Sequence, residues 1–292
     1  MSQMHDVSKK YQMILCSNDH QSEEWENVLV EYTLGIYVNG ERYVNLICTH
    51  KNLYDLVLGN LFSEGIIHGI HEIESININE EEGKAFVELK TKDVFKDVIH
   101  ATQGIRTVTT ACGKQHSIAY YLFHDSGLEP LKDEFVIPYS KILFWMSQFQ
   151  QSSEIYKLTR GTHSCGLYNE EKTLYLMEDI GRHNAVDKVL GRAIAEKIDL
   201  SKTMMITSGR VPSDMLTKVI KAKIPIIVAR SIATDAAIEM ANTYNVTLIG
   251  YARGTRMNVY TKAERIIGLW QSDSNHLSTK ERYKIERVKQ GK

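Results

Sequence analysis

Between Thr173 and Gly250 short apolar runs alternate with longer amphipathic ones, and no other feature of the sequence narrows the choice of fold so far. Thr173 to Met177, Thr203 to Thr207, Pro225 to Ala229 and Val246 to Gly250 have the length and apolar content of buried strands. Asn184 to Lys197, Ser213 to Lys221 and Asp235 to Tyr244 space their apolar residues as helices do. A helix between two strands carries the chain back to the end from which it started, so such strands pair in parallel. The expectation is an α/β domain with a mainly parallel sheet flanked by helices.

The first third reads differently. Val28, Val30, Tyr32, Leu34, Ile36 and Val38 alternate at period two, Asn39-Gly40 is a hairpin turn signal, and Tyr43 to Cys48 returns. Asn52 to Ser63 reads as a helix capped by Gly65, and Glu74 to Asn79 and Lys84 to Lys90 as two further strands around Glu80-Glu81-Glu82-Gly83. Pro130 to Pro138 reads as a linker, followed by a helix from Ser140 to Gln150 that buries Ile142, Leu143, Trp145, Met146 and Phe149. The expected organisation is a smaller N-terminal α+β domain over 24–129, a second domain over 130–270, and a polar tail over 271–292.

A chain of 292 residues buries roughly three quarters of its extended surface and needs no disulfide or metal to fold. Its 35 basic against 36 acidic residues argue against a broad nucleic-acid-binding face and leave room only for a focal anion site. Met1 to Tyr11 lacks the apolar stretch of a secretory signal, which points to the cytoplasm and to no membrane association. The cysteines Cys16, Cys48, Cys112 and Cys165 stand far apart with no C-x-x-C spacing, as reduced thiols do.

Ligands of open α/β sheets bind beyond the carboxyl ends of the strands, and there the sequence repeats itself. Glu178-Asp179-Ile180 runs into Gly181-Arg182-His183-Asn184, Thr207 into Ser208-Gly209-Arg210, Ala229 into Arg230-Ser231, and Gly250 into Tyr251-Ala252-Arg253-Gly254-Thr255-Arg256. Glycine admits backbone N–H groups, helix N-termini carry partial positive charge, and arginine forks onto phosphate oxygens, so a phosphate-bearing ligand is the reading. Alternatively Glu178, Asp179 and Asp187 pair with these arginines and the cluster is structural. His183 at a helix start reads as a neutral hydrogen-bond partner, His163 as a satisfied polar group, and Cys165 as a small buried residue.

Cys112 keeps different company. Thr109-Thr110-Ala111-Cys112-Gly113-Lys114-Gln115-His116 is small, polar and irregular, and Arg106, Lys114 and His116 are cations able to favour the thiolate. Such a thiol can attack a sulfane sulfur and hold it as a persulfide; an inert loop cysteine is the other reading.

The chain resembles the FdhD-type formate dehydrogenase accessory proteins. The likeness is carried by Glu178-Asp179-Ile180-Gly181-Arg182-His183-Asn184-Ala185-Val186-Asp187-Lys188-Val189, by Thr207-Ser208-Gly209-Arg210, and by Tyr251-Ala252-Arg253-Gly254-Thr255-Arg256-Met257-Asn258-Val259-Tyr260-Thr261. Weaker likeness covers Val38-Asn39-Gly40 and Gly59 to Ile67. The resemblance implies a cytidine-deaminase-like C-terminal domain and a homodimer. It also implies sulfur taken from a cysteine desulfurase and delivered to a molybdenum or tungsten bis-molybdopterin guanine dinucleotide, bound as client, for formate dehydrogenase. Tyr251, Ala252, Arg253, Gly254, Thr255 and Arg256 match the family's cofactor-binding stretch, with Arg182, His183, Ser208, Gly209 and Arg210 expected beside them. Cys112 matches the first cysteine of its Cys-Gly-x-Cys loop, the persulfide carrier.

Two departures stand out. Gln115 occupies the place of the second loop cysteine, so a two-thiol relay is closed and a cofactor chaperone without sulfur chemistry is the alternative. Arg160 and Cys165 intrude on a segment where the family carries glycines and alanines. An active zinc deaminase is rejected, because Cys165 stands at the expected glutamate position after His163, and Pro212-Ser213-Asp214-Met215-Leu216 offers no cysteine.

Overall fold

The turn at Asn39-Gly40 organises the first layer of the protein. A computed structural model describes residues 7–91, 128–132 and 135–268. Asn39 and Gly40 both take left-handed backbone angles, φ 51° and 80°, which match the twist of the strands they join, β3 (Tyr32–Val38) and β4 (Glu41–Cys48). β5 (Ile73–Asn79) and β6 (Lys84–Leu89) complete a four-stranded sheet in the order β4-β3-β6-β5, with β3 and β6 parallel and the other neighbours antiparallel. Ahead of it β1 (Ser8–Cys16) and β2 (Gln21–Leu29) pair as a separate antiparallel hairpin, where the sequence suggested no strand before Glu24. Tyr11, Ile14, Leu15 and Trp25 are exposed on that hairpin, and a ribbon with no buried face shows no clean apolar alternation.

Helix α1 (Leu53–Glu64) ends at Gly65, whose left-handed backbone (φ 84°) lets its N–H reach the carbonyls of Leu61 and Phe62. Nearly every residue of α1 is buried, since the N-terminal sheet covers one side and α4 (Arg182–Ala195) the other. Gly59 and Gly191 make this crossing possible. A Cβ on Gly59 would overlap the backbone carbonyl of Asp187, and one on Gly191 that of Asp55.

The second layer system begins with β7 (Ile137–Pro138), α2 (Tyr139–Ser152) and α3 (Glu154–Thr159). It continues with β8 (His163–Tyr168), β9 (Thr173–Asp179), α4, β10 (Met204–Thr207), α5 (Ser213–Lys221), β11 (Ile226–Ala229), α6 (Asp235–Thr243), β12 (Thr247–Arg253) and β13 (Arg256–Val259). A final short strand, β14 (Ile266–Ile267), pairs with β7. The helices of the strand-helix alternation lie where the sequence puts them; within α2, Leu143 is half-buried, not part of the buried face.

The six-stranded sheet runs β13-β12-β11-β10-β8-β9. The expectation of a mainly parallel sheet is corrected here: only β10, β11 and β12 run parallel, and β8, β9 and β13 join antiparallel. β8 and β9 are linked by a tight turn at 169–172, and β12 and β13 by Gly254-Thr255, and connections so short permit only antiparallel neighbours. Consecutive residues of the central strands pack in opposite directions. Met204, Ile206, Ile226, Val228 and Ile249 meet Ile142, Trp145, Met146 and Phe149 of α2 on one face, while Met205, Ile227 and Leu248 join α4 and α5 on the other. This second core also takes in Leu34, Ile36 and Leu56 from the N-terminal layer. Among the described residues no helix is long and apolar enough to cross a membrane.

The α1–α4 crossing yields a prediction. Gly59→Ala or Gly191→Ala should destabilise the protein by about 1–3 kcal/mol or more, because the helices must separate to admit a methyl group, and urea denaturation of each variant measures it.

Candidate functional site

The parallel strands all end at one edge of the sheet, and β8, antiparallel to β10, begins there. Backbone hydrogen bonds continue past the strand ends and hold the exits side by side. The Ser208 N–H donates to Ser164 O at 3.0 Å, the Arg230 N–H to Thr207 O at 2.9 Å, and the Tyr251 N–H to Ser231 O at 2.8 Å. The exits of β10, β11 and β12 are thereby brought into one row, and the pairing of Asp179 with His163 across β8 brings the end of β9 to the same edge.

Each exit contributes differently. Arg182 opens the 14-residue helix α4, whose N-terminus already carries partial positive charge. Its Cβ and Cδ lie 3.3 Å from the point a Gly209 Cβ would occupy, so the glycine is the surface on which the arginine lies. Arg210 is exposed beyond it. Arg253 donates from Nε to Arg230 O at 3.0 Å, and its guanidinium sits 5.6 Å from the centre of the Tyr251 ring. Tyr251 is 46% exposed and holds φ at 51°, a left-handed angle that a bulky residue adopts only where neighbours enforce it. A turn with Gly254 at φ 55° then sets Arg256 opposite Arg253, both exposed along with Thr255.

The carboxylates that could have neutralised this row are engaged elsewhere. Glu178 accepts the Ile155 and Tyr156 amides at the start of α3 and the Thr162 hydroxyl. Asp179 pairs with Lys188 at 2.7 Å and Asp187 with Lys218 at 2.6 Å, all four side chains buried. Among the described residues Arg210, Arg230, Arg253 and Arg256 form no ion pair with a carboxylate. The structural-network alternative thus holds for the acidic residues and fails for these arginines.

Beside the row lies a cleft of about 150 Å³ between α2, α3 and the strand exits, lined by Phe149, Gln150, Ser153, Tyr156, Ser164, Ser208 and Arg230. Ser153 Oγ donates to Ser164 Oγ at 2.8 Å, and Ser208 Oγ accepts the Ser164 N–H at 3.0 Å. His163 reaches Ser208 Oγ at 3.4 Å. Burial, then the charge of Arg182, and more weakly that of Arg210, push its pKa below the ordinary 6.5, with Asp179 opposing.

Two of the expected binding residues face away. His183 is buried with Nε2 3.3 Å from Asp214 Oδ2. Burial raises the Asp214 carboxyl, but hydrogen bonding and charge from His183, with the Met215 amide, hold it below the usual range. Ala252 has no exposure and packs in the α2 face of the core, so only its backbone borders the row. Cys165 is likewise unexposed, and burial together with the charge of Asp187 pushes its thiol far above a reactive range. Cys112 and its neighbours lie outside the described residues. Arg160 adopts φ 55° as the left-handed cap of α3, the conformation that glycine takes without strain.

Sequence reasoning missed the cleft wall of Phe149, Ser153 and Tyr156. Its only signal was the helical spacing of α2, which does not tell a buried aromatic from a lining one.

The model of the FdhD/NarQ family matches residues 29–267. A protein of Listeria innocua named sulfur carrier protein FdhD is 38% identical over 242 residues, 82% of this chain and 91% of that protein. One of the same name from Staphylococcus haemolyticus is 31% identical over 262 residues, 89% of this chain and 97% of its own. The crystal structure of a proposed formate dehydrogenase accessory protein from Desulfotalea psychrophila superimposes with a TM-score of 0.72 at 25% identity, covering 89% of this chain and all of that one.

His163 supplies a pH test. With its folded pKa depressed, the native state takes up a proton less readily than the unfolded chain, so its contribution to stability is complete above 6.5 and lost on acidification. Thermal unfolding between about pH 7 and pH 5 should fall more steeply for the natural protein than for His163→Gln; equal slopes would exclude His163 from the balance.

Proposed function

Given that the chain belongs to the FdhD/NarQ family, we propose that it is a sulfur carrier serving formate dehydrogenase. The single observation that supports this reading best is that, among the described residues, Arg210, Arg230, Arg253 and Arg256 form no ion pair with a carboxylate along the adjacent exits of β10, β11 and β12. A ligand with two pyrophosphate groups neutralises such a row; a neutral substrate does not. The bis-molybdopterin guanine dinucleotide is such a ligand, carried here as client. Arg182, Ser208, Gly209, Arg210 and Tyr251 to Arg256 hold its phosphates, with Arg230 added at the β11 exit. The C-terminal layers are read as cytidine-deaminase-like and the working unit as a homodimer in the cytoplasm.

The chemistry falls to Cys112. Its thiolate attacks the terminal sulfur of a cysteine desulfurase persulfide, a new S–S bond forms at Cys112, the donor's S–S bond breaks, and the donor cysteine leaves as a thiolate. The Cys112 persulfide then presents that sulfur to the metal of the bound client. Gln115 leaves the Cys112 segment with one thiol, which suffices for carriage but favours, as second reading, a chaperone that holds the client without transferring sulfur.

Incubation with a cysteine desulfurase and cysteine should add the mass of one sulfur atom to the peptide holding Cys112, and mass spectrometry that finds no adduct removes sulfur carriage. Maturation assays in cells separate the two readings: Cys112→Ser abolishes active formate dehydrogenase under the first and spares it under the second. Arg253→Ala should weaken binding of guanosine diphosphate about tenfold or more, measured by titration calorimetry, since each charge-assisted bond to phosphate contributes about 1.5–3 kcal/mol.

A further inference from the structure

Asp179 and Lys188 are fully buried, with charged atoms 2.7 Å apart, behind the arginine row and not on it. Replacing such a pair by well-packed apolar side chains is often neutral or stabilising, so stability alone does not account for it. What an apolar pair cannot do is hold several backbone and side-chain donors at fixed places. Asp179 Oδ1 accepts the Gly181 N–H and Asn184 Nδ2, both at 2.9 Å. Its Oδ2 accepts the Thr49 N–H at 3.0 Å and the Thr49 hydroxyl at 3.1 Å. Lys188 Nζ donates to Thr49 Oγ1 at 2.7 Å, and Asn184 Nδ2 reaches Ile47 O at 2.8 Å.

One carboxylate therefore ties the end of β4 to the turn that opens α4. The next residue in that turn is Arg182, whose side chain lies against Gly209. We propose that the Asp179–Lys188 pair is a positioning device for Arg182: it fixes the first turn of α4 against the N-terminal sheet, so that the guanidinium stays at the β10 exit. Neither residue touches the ligand. The effect on binding rests on the reading of the strand exits as an anion site, whereas the effect on the turn does not.

The test uses the full chain carrying Asp179→Asn with Lys188→Met, which removes both charges and keeps the volumes close. In hydrogen exchange the amides of Gly181 to Asn184 should exchange faster while those of β10 and β11 keep their protection; unchanged protection at the turn overturns the proposal. In a second arm, guanosine diphosphate should bind the double variant about tenfold more weakly than the natural protein, yet in an Arg182→Ala background the same substitutions should cost nothing further. Equal losses in both backgrounds overturn the proposal. If the double variant does not fold, Thr49→Val, which removes one donor to Asp179, carries both measurements. Failure of the natural protein to bind guanosine diphosphate refutes the anion-site reading alone, and hydrogen exchange still decides on the positioning role.

Discussion

Helix α4 can lie between two sheets only because its polar residues find partners on both sides. Lys188 and Asp187 of α4, paired with Asp179 of β9 and Lys218 of α5, are charged groups withdrawn from water, each at a desolvation cost of several kcal/mol. The cost is offset where every lone pair and proton is engaged. Ser63 Oγ donates to Asp187 at 2.7 Å and Asn60 Nδ2 at 3.3 Å, and Thr49 serves Asp179 and Lys188 together. These partners come from β4 and α1, so the polar contacts that make α4 tolerable in the interior also join the N-terminal layer to the six-stranded sheet. Gly59 and Gly191 bring the two helices close enough for the side chains to reach.

With the acidic side chains drawn inward, the strand-exit edge is left positive. The long motif from Glu178 to Lys188 divides its labour: Glu178, Asp179, Asn184, Asp187 and Lys188 hold the fold, while the side chain of Arg182 lies against Gly209 at the β10 exit. Backbone N–H groups at the start of α4 add partial charge of the same sign. Tyr251 stands on the same edge with a left-handed backbone, a conformation that costs a non-glycine residue energy.

Much of this was legible in the sequence. The Asn39-Gly40 turn, the Gly65 cap and the helices α1, α5 and α6 stand where period and turn chemistry place them, because each is decided by residues near one another in the chain. Strand direction was not legible for β8 and β13, and the sheet is mixed where a mainly parallel one was expected. Cys165 was readable as buried from its small, apolar neighbours, whereas the inward turn of His183 depends on Asp214, a residue 31 positions away in the chain.

The sequence by itself determined which residues alternate, where the chain turns, and that arginines follow four strands. Those are local properties, written in spacing and side-chain type. Only the tertiary structure decided that the four exits share an edge, that the nearby carboxylates point elsewhere, and that Asp179 and Lys188 meet Thr49. The reason is that hydrogen-bond partners more than a hundred residues apart along the chain leave no periodic trace in it; their meeting is settled by how the layers pack.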